Sequence, residues 1–384
     1  MSRTTLAWLA SRCPWGVVGM LALVVLAESL INLRALDLFD IDEWAFRRAG
    51  YMARSPEVKA AQVLCFGDSL VKLGVIPSVV AERTGKRVYN LALSGSQAPT
   101  SYFLLKRAID AGAKPEAVVV DFTPPLLRVG PRHLTTRWMA LIDPAEAFRL
   151  ARWARDPALF GEVAMGGLIP SLRGKSSIRA AVLGALAARP SPNAHWNGQA
   201  LRNWERNAGA QLMTGHASPV VLDDAQIHDL LVGYYPRWDC HPANYEGIGR
   251  FLDLASKNHI RVHWVLAPLL PALHDQIRRS GIDGHHEAFV RHWQAKYPDL
   301  RVVDGRGKVA DLDLFWDPQH LSVEGASAFS RALGDVLRRS EDDPAGRRWV
   351  ALPPLGKGPV PAGIENMEES RVAFEQEHKP QVRR

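Results

Sequence analysis

Five short apolar stretches rich in β-branched residues recur along the chain. They cover residues 62–66, 87–91, 117–122, 261–267 and 300–304. Near-continuous hydrophobicity without strict alternation is typical of parallel strands that are covered on both faces. The pattern therefore predicts a central parallel sheet of about five strands.

Segments with helical spacing of apolar positions lie between these stretches, at residues 100–111, 244–257 and 322–338. Alternation of strands and helices predicts an α/β layered domain with right-handed crossovers. The connection at 124–242 is long, and we interpret it as a helical insertion that packs over the site, since such loops commonly carry specificity. Its tryptophans fit core packing better than a sugar-stacking platform.

The N-terminal region has its own pattern. Arg3 and Arg12 precede an uncharged apolar run at 15–27, and Glu28 interrupts it before a second apolar piece at 29–33. The run alone has the size of a signal-peptide core, and the whole segment is just long enough to span a bilayer. A buried helix of a soluble protein is the third interpretation. We favour an uncleaved membrane anchor over a cleaved signal, and with either one the body is exported.

These features divide the chain into successive segments. Residues 1–36 form the predicted anchor, 37–61 a connector, and 62–340 the α/β domain, with its insertion at 124–242. Residues 341–384 are rich in proline, glycine and charge, with few large apolar side chains, so this tail is predicted to be disordered.

Composition adds a basic bias. The chain has 47 Lys and Arg against 40 Asp and Glu, a formal charge of +7, and residues 128–210 alone hold 12 basic and 5 acidic residues. This excess favours an acidic partner, such as membrane headgroups or an anionic polymer, although a solvated surface with no partner explains it equally well. No base-reading motif occurs, so no nucleic-acid partner is expected. Cys65 fits a small core residue, and a disulfide between Cys65 and Cys240 is the alternative.

The candidate chemistry lies at two distant points. Gly-Asp-Ser-Leu at 67–70 directly follows the first apolar stretch, and Asp-Pro-Gln-His-Leu at 317–321 precedes the last helical segment. A serine at the end of a buried strand and an Asp/His pair near the C-terminus are typical of serine hydrolases. Ser69 is the candidate nucleophile, His320 the base and Asp317 its orienting carboxylate. Asp317 also fits a turn or helix-start residue.

These motifs resemble the GDSL/SGNH hydrolase superfamily. Residues 67–70 match its first block, Asn-Leu-Ala-Leu-Ser-Gly at 90–95 resembles its second, and 317–321 match its last. The resemblance implies a three-layer flavodoxin-like fold, ester chemistry and a triad of Ser69, Asp317 and His320. It also implies that the backbone N–H groups of Ser69 and Gly95 bind the oxyanion.

The third block of that family, Gly-x-Asn-Asp, has no counterpart here. After the third apolar stretch the chain reads Asp-Phe-Thr-Pro-Pro at 121–125, so the asparagine that completes the oxyanion hole is missing. Thr123 or Gln97 are the candidate substitutes. The departure, the anchor and the exported body together resemble a divergent, membrane-tethered branch similar to the acetyltransferases that modify exported polysaccharides.

Other motifs are weaker. Asp-Cys-His at 239–241 and the His pair at 285–286 match no standard zinc spacing, so neither a metal nor a cofactor is expected. Arg-Gly-Lys-Ser at 173–176 is similar to a phosphate loop, but Ile169 stands where its first glycine belongs. We expect a serine esterase or O-acyltransferase that forms an acyl-serine on an exported, carbohydrate-type substrate. The alternative is a catalytically inactive binding or assembly module of the cell envelope.

Overall fold

The computed structural model describes residues 15–187, 192–215, 219–343 and 346–378. Arg3, Arg12 and the end of the tail lie outside these residues. The first part of the chain runs through α1 (Trp15–Leu33), α2 (Ala35–Leu38), α3 (Ile41–Met52), α4 (Pro56–Ala60), β1 (Val63–Phe66), α5 (Ser69–Gly74), α6 (Pro77–Thr84), β2 (Val88–Asn90), α7 (Ala98–Asp110) and β3 (Ala117–Val120).

The insertion after β3 is helical. It contains α8 (Pro124–Arg128), a 3-10 turn (Pro131–Leu134), α9 (Thr135–Leu141), α10 (Pro144–Ala154), α11 (Pro157–Leu168), a second 3-10 turn (Pro170–Leu172), α12 (Lys175–Leu186), α13 (Pro192–Arg206), α14 (Asp224–Tyr234) and α15 (Pro242–Lys257). The chain ends with β4 (Arg261–Leu266), α16 (Pro271–Arg279), α17 (Ile282–Lys296), β5 (Leu300–Asp304), a third 3-10 turn (Leu312–Leu314), α18 (Val323–Asp342), β6 (Trp349–Ala351) and α19 (Met367–Glu377).

In the described part of the chain, all strands join one parallel sheet with the order β2-β1-β3-β4-β5-β6. Side chains of β1 alternate between its faces, because Val63 and Cys65 belong to one buried cluster and Leu64 and Phe66 to the other. Helices α5, α6 and α18 cover the first face, and α3, α7, α9 and α15 the second. The result is an α/β domain in three layers, as predicted.

Two features at the C-terminal end differ from the expectation. The sheet has six strands where about five were expected, because β6 pairs in parallel with β5 through Val302 and Trp349. The tail at 341–384 is ordered over much of its length. Its helix α19 packs on α13, where Arg202 forms an ion pair with Glu365 and the Asn203 side chain donates to the Glu365 carbonyl.

The connector and the cysteine pair also differ from what the sequence suggested. The connector at 37–61 is helical, and Phe46 of α3 is fully buried in the second core cluster. Cys65 and Cys240 are free thiols, so the disulfide considered above does not form.

Helix α1 is the apolar N-terminal segment. Its 19 residues have a mean hydropathy of 2.1 over an 18-residue window, and none of that window is buried. Its length and composition fit a single-pass membrane anchor or a signal sequence.

Candidate functional site

The turn after β1 presents Ser69 at the edge of the sheet. Gly67 has φ +124°, a value that side chains rarely permit, and a Cβ there would lie 1.6 Å from Asp121 Oδ1. Asp68 caps α5, because its Oδ1 accepts the Leu70 N–H at 2.8 Å. Ser69 is therefore the first residue of a short helix, with its hydroxyl outside the strand.

The position of this turn follows from the strand order. The chain passes from β1 to β2 on one side and then to β3 on the other, so the connections after β1 and β3 diverge. In open α/β sheets, ligands bind in the crevice that such a divergence leaves at the carboxyl ends of the strands. Ser69 follows β1 and Thr123 follows β3, so both lie at this crevice.

Three side chains that were predicted from separate motifs meet here. His320 Nε2 lies 2.7 Å from Ser69 Oγ, and His320 Nδ1 lies 2.6 Å from Asp317 Oδ2. Because Asp317 accepts the Nδ1 hydrogen, Nε2 is left to accept the serine hydroxyl. The arrangement is that of a nucleophile, a base and a carboxylate that fixes the tautomer of the base.

Asp317 is held firmly by its own turn. Its Oδ1 accepts the backbone N–H of Gln319 at 2.7 Å and that of His320 at 2.8 Å. Burial acts to raise the pKa of Asp317, but the hydrogen bonds from the His320 ring and the two N–H groups outweigh it and lower the pKa below its ordinary value. Asp317 is thus ionised at neutral pH. The Ser322 hydroxyl caps the following helix, α18.

Two loops that could supply oxyanion donors are in contact, because the Ser96 hydroxyl donates to the Gly67 carbonyl at 2.6 Å. Ser69 N–H and Gly95 N–H have no hydrogen-bond acceptor among the described residues. Gly95 has φ +67°, and a Cβ there would lie 2.5 Å from Arg137 Nη1. Arg137 donates to the Ser94 carbonyl at 3.2 Å and forms an ion pair with Asp42 of α3. Arg137 therefore fixes the loop that carries Gly95.

Thr123 and Gln97 were considered as a third oxyanion donor, but the side-chain hydrogens of both are bound to other groups. The Thr123 hydroxyl donates to Asp68 Oδ2. The Gln97 amide nitrogen donates to the carbonyls of Val129 at 2.6 Å and Gly130 at 3.1 Å, which uses both of its hydrogens. This expectation is corrected: Thr123 stabilises the nucleophile turn, and Gln97 holds the start of the insertion.

Asp121 takes the place where the missing block would lie. Its Oδ1 accepts the Asp68 N–H at 2.8 Å, and its side chain is buried. Burial and the adjacent Asp68 carboxylate raise the pKa of Asp121 well above its ordinary value. Its function in this geometry is to lock Gly67 and Asp68 in place.

A small cavity adjoins the nucleophile. It has a volume of about 40 Å³, and Leu70, Phe122, Thr123, Tyr235 and Leu269 are among its lining residues. The Tyr235 hydroxyl lies 3.5 Å from Gln319 Oε1, next to the Asp317 turn. A cavity of this size holds roughly three water molecules.

Sequence reasoning missed Arg137, Asp121 and Tyr235. Asp121 directly follows a buried strand, and that position was a usable signal; Arg137 and Tyr235 lie in the insertion, where no pattern marks them. No cluster of potential metal ligands occurs among the residues that the structure describes. A scan against models of known protein families gives no match, and a search of curated proteins finds no similar sequence.

Proposed function

We propose that this protein is a serine esterase or O-acyltransferase of the GDSL/SGNH type, held at the membrane by α1 with its α/β domain outside the cytoplasm. The observation that carries the proposal is the unbroken set of hydrogen bonds from Ser69 Oγ through His320 to Asp317. The strand order supports it, since β2-β1-β3-β4-β5 is the order of flavodoxin-like doubly wound sheets.

The proposed reaction uses each group in turn. Ser69 Oγ attacks the acyl carbonyl as its proton moves to His320 Nε2, and the oxyanion that forms faces the N–H groups of Ser69 and Gly95. The C–O bond to the alcohol breaks, and the alcohol leaves with the proton from His320. Water, or a sugar hydroxyl, then attacks the acyl-Ser69 ester by the same steps in reverse, which releases the acid or the acylated sugar.

A fluorophosphonate probe tests this proposal. The full-length protein in detergent is expected to become labelled, Ser69→Ala to lose labelling, and Ser256→Ala, at an exposed serine, to retain it. A folded wild-type protein that takes up no label would refute the enzyme. An aryl acetate offered with and without an exported polysaccharide then separates hydrolysis from acyl transfer.

One observation favours the alternative of an inactive binding module. The hydrogens of Thr123 and Gln97 are bound elsewhere, so no side-chain donor completes the oxyanion hole from those positions. Loss of one such donor costs about 10²–10³ in turnover, which slows an enzyme without abolishing it. The ionised Asp317 and the aligned His320 have no use in a module that only binds, so we favour the enzyme.

A further inference from the structure

The outer surface of the insertion next to α1 is strongly apolar. Helix α11 carries one charged residue, Glu162, which pairs with Arg132 at 2.7 Å. In α12, residues 180–186 include no polar side chain. An apolar helical surface is normally covered by protein or lipid, yet large apolar side chains on both helices and on the turn between them are exposed. They are Phe160, Met165, Leu168, Leu172, Val182, Leu183 and Leu186.

This apolar patch is joined to α1. The turn between α11 and α12 contacts α1, and Ser171 in that turn donates its backbone N–H to Glu28 at 2.9 Å and its hydroxyl to the same carboxylate. Glu28 interrupts the apolar face of α1, and a carboxylate within a membrane span needs a partner. Ser171 supplies two hydrogen bonds to it.

The geometry of α1 sets the depth of this contact. Its 19 residues extend about 28 Å, close to the hydrocarbon thickness of roughly 30 Å, so nearly the whole helix is needed to cross. Glu28 lies about 7 Å before the end of α1 from which the body begins. Interfacial helices bury their apolar faces about 5–10 Å into the boundary between headgroups and acyl chains, which is the same depth.

Basic side chains lie near the C-terminal end of α1. A cavity of about 330 Å³ is lined by Asn32 at the end of α1 and by Arg47, Arg54 and Arg173. Arg47 Nη1 is buried without a hydrogen-bond partner in the described part of the chain. The Arg173 side chain is buried and pairs with Glu43 at 3.5 Å, whereas Arg54 is exposed. An exposed arginine beside the end of a span is suited to a phosphate headgroup, since its stem stays apolar and its charged end reaches the interface.

We propose that the apolar patch of α11, α12 and the turn between them inserts into the outer part of the same leaflet that α1 leaves, so that the domain lies against the membrane. The inference rests on the proposed anchoring by α1. It has a consequence for function: the domain is held at a fixed height and orientation on the bilayer, not on a free tether.

Site-specific fluorescence tests this proposal with the full-length chain in nanodiscs. An environment-sensitive probe is attached at Leu168→Cys or Leu183→Cys, in a background with Cys13→Ser and Cys240→Ser. Lipids with a quencher near the top of the acyl chain replace ordinary lipids for positions 168, 183 and 221, and lipids with a quencher near the end of the acyl chain replace them for position 23. Leu23→Cys in α1 reports the anchor. Val221→Cys is the matched control, because it is 73% exposed and its neighbours pack on the opposite face of the sheet.

We expect quenching of about twofold or more at positions 168 and 183, and at 23, with little at 221. Quenching at 23 but not at 168 and 183 would overturn the inference and leave the anchor in place. Shielding of 168 and 183 without quenching by lipid would also overturn it, because a second copy or another protein would then cover the patch. No quenching at 23 would refute the anchor itself.

Discussion

Replacement of Asp317 by asparagine tests the catalytic geometry most sharply. In the wild type, one carboxylate oxygen accepts two backbone N–H groups and the other accepts the His320 Nδ1 hydrogen. In Asp317→Asn only one of these positions can hold an oxygen. If it faces the backbone, the NH₂ group faces Nδ1, the ring hydrogen moves to Nε2, and Ser69 can no longer transfer its proton.

The size of the effect follows from the alternative orientation. A flipped amide restores the correct tautomer but leaves the N–H groups of Gln319 and His320 without an acceptor. Each unsatisfied donor costs about 1–3 kcal/mol, so the active orientation is disfavoured by about 2–6 kcal/mol. The Asp317 side chain is 31% exposed, so water partly replaces the lost acceptor. We therefore expect a loss in the lower half of this range, about 30- to 10³-fold in kcat/KM.

The assay compares two readouts on the full-length protein in detergent. They are the rate of fluorophosphonate labelling and the rate of aryl acetate hydrolysis. Asp313→Asn is the control, since Asp313 lies nearby and binds Lys357 at the surface instead of His320. Activity of Asp317→Asn within about threefold of wild type would show that the observed contact does not orient the base.

Two further predictions concern Lys72 and Arg137. Burial lowers the pKa of Lys72 to about 7, although the Trp204 ring, 4.0 Å away, favours the ammonium and opposes this shift. Wild-type stability should therefore rise between pH 7 and about 10, where the unfolded state binds the extra proton. Lys72→Met should stabilise the protein at pH 6 by on the order of 4 kcal/mol and remove the increase of stability with pH, as measured by chemical unfolding. The exposed Lys59→Met should change neither the stability nor its pH dependence. An unchanged pH dependence in Lys72→Met would contradict the lowered pKa of Lys72. Arg137→Met should lower kcat about 10- to 100-fold with little change in KM, because it releases the Gly95 loop, with Arg137→Lys intermediate and the exposed Arg152→Gln unchanged. A raised KM with an unchanged kcat would instead indicate a role in substrate binding.

The strands of the sheet could be predicted where the local sequence alone determines them. β1 and β3 are continuous apolar runs, and β4 and β5 are largely apolar, with buried side chains on both faces of each strand. Their pattern therefore does not depend on distant residues. β6 has only three residues, between charged and proline-rich segments, and becomes a strand because β5 offers it an open edge. The docking of α19 likewise depends on Arg202 and Asn203, more than 150 residues earlier.

The meeting of Ser69, Asp317 and His320 was predictable for a different reason. Ser69 follows a strand, and Asp317 and His320 share one turn, so each motif fixes its own local geometry. An oxyanion donor is not a local property. Thr123 and Gln97 are chemically suitable, but their hydrogens are bound to Asp68 and to the 129–130 carbonyls, and only the folded arrangement determines those partners.

The same contacts explain what replaces the missing asparagine. Asp121 accepts the Asp68 N–H and lies where any Cβ on Gly67 would be, while Thr123 binds the other side of Asp68. The segment after β3 therefore stabilises the turn that presents Ser69 and contributes no donor to the oxyanion. If the proposed chemistry holds, stabilisation of the oxyanion falls on the N–H groups of Ser69 and Gly95, and the second of these depends on Arg137. Such a site should have a low kcat, because the segment after β3 stabilises the turn that carries Ser69 and does not supply a third oxyanion donor.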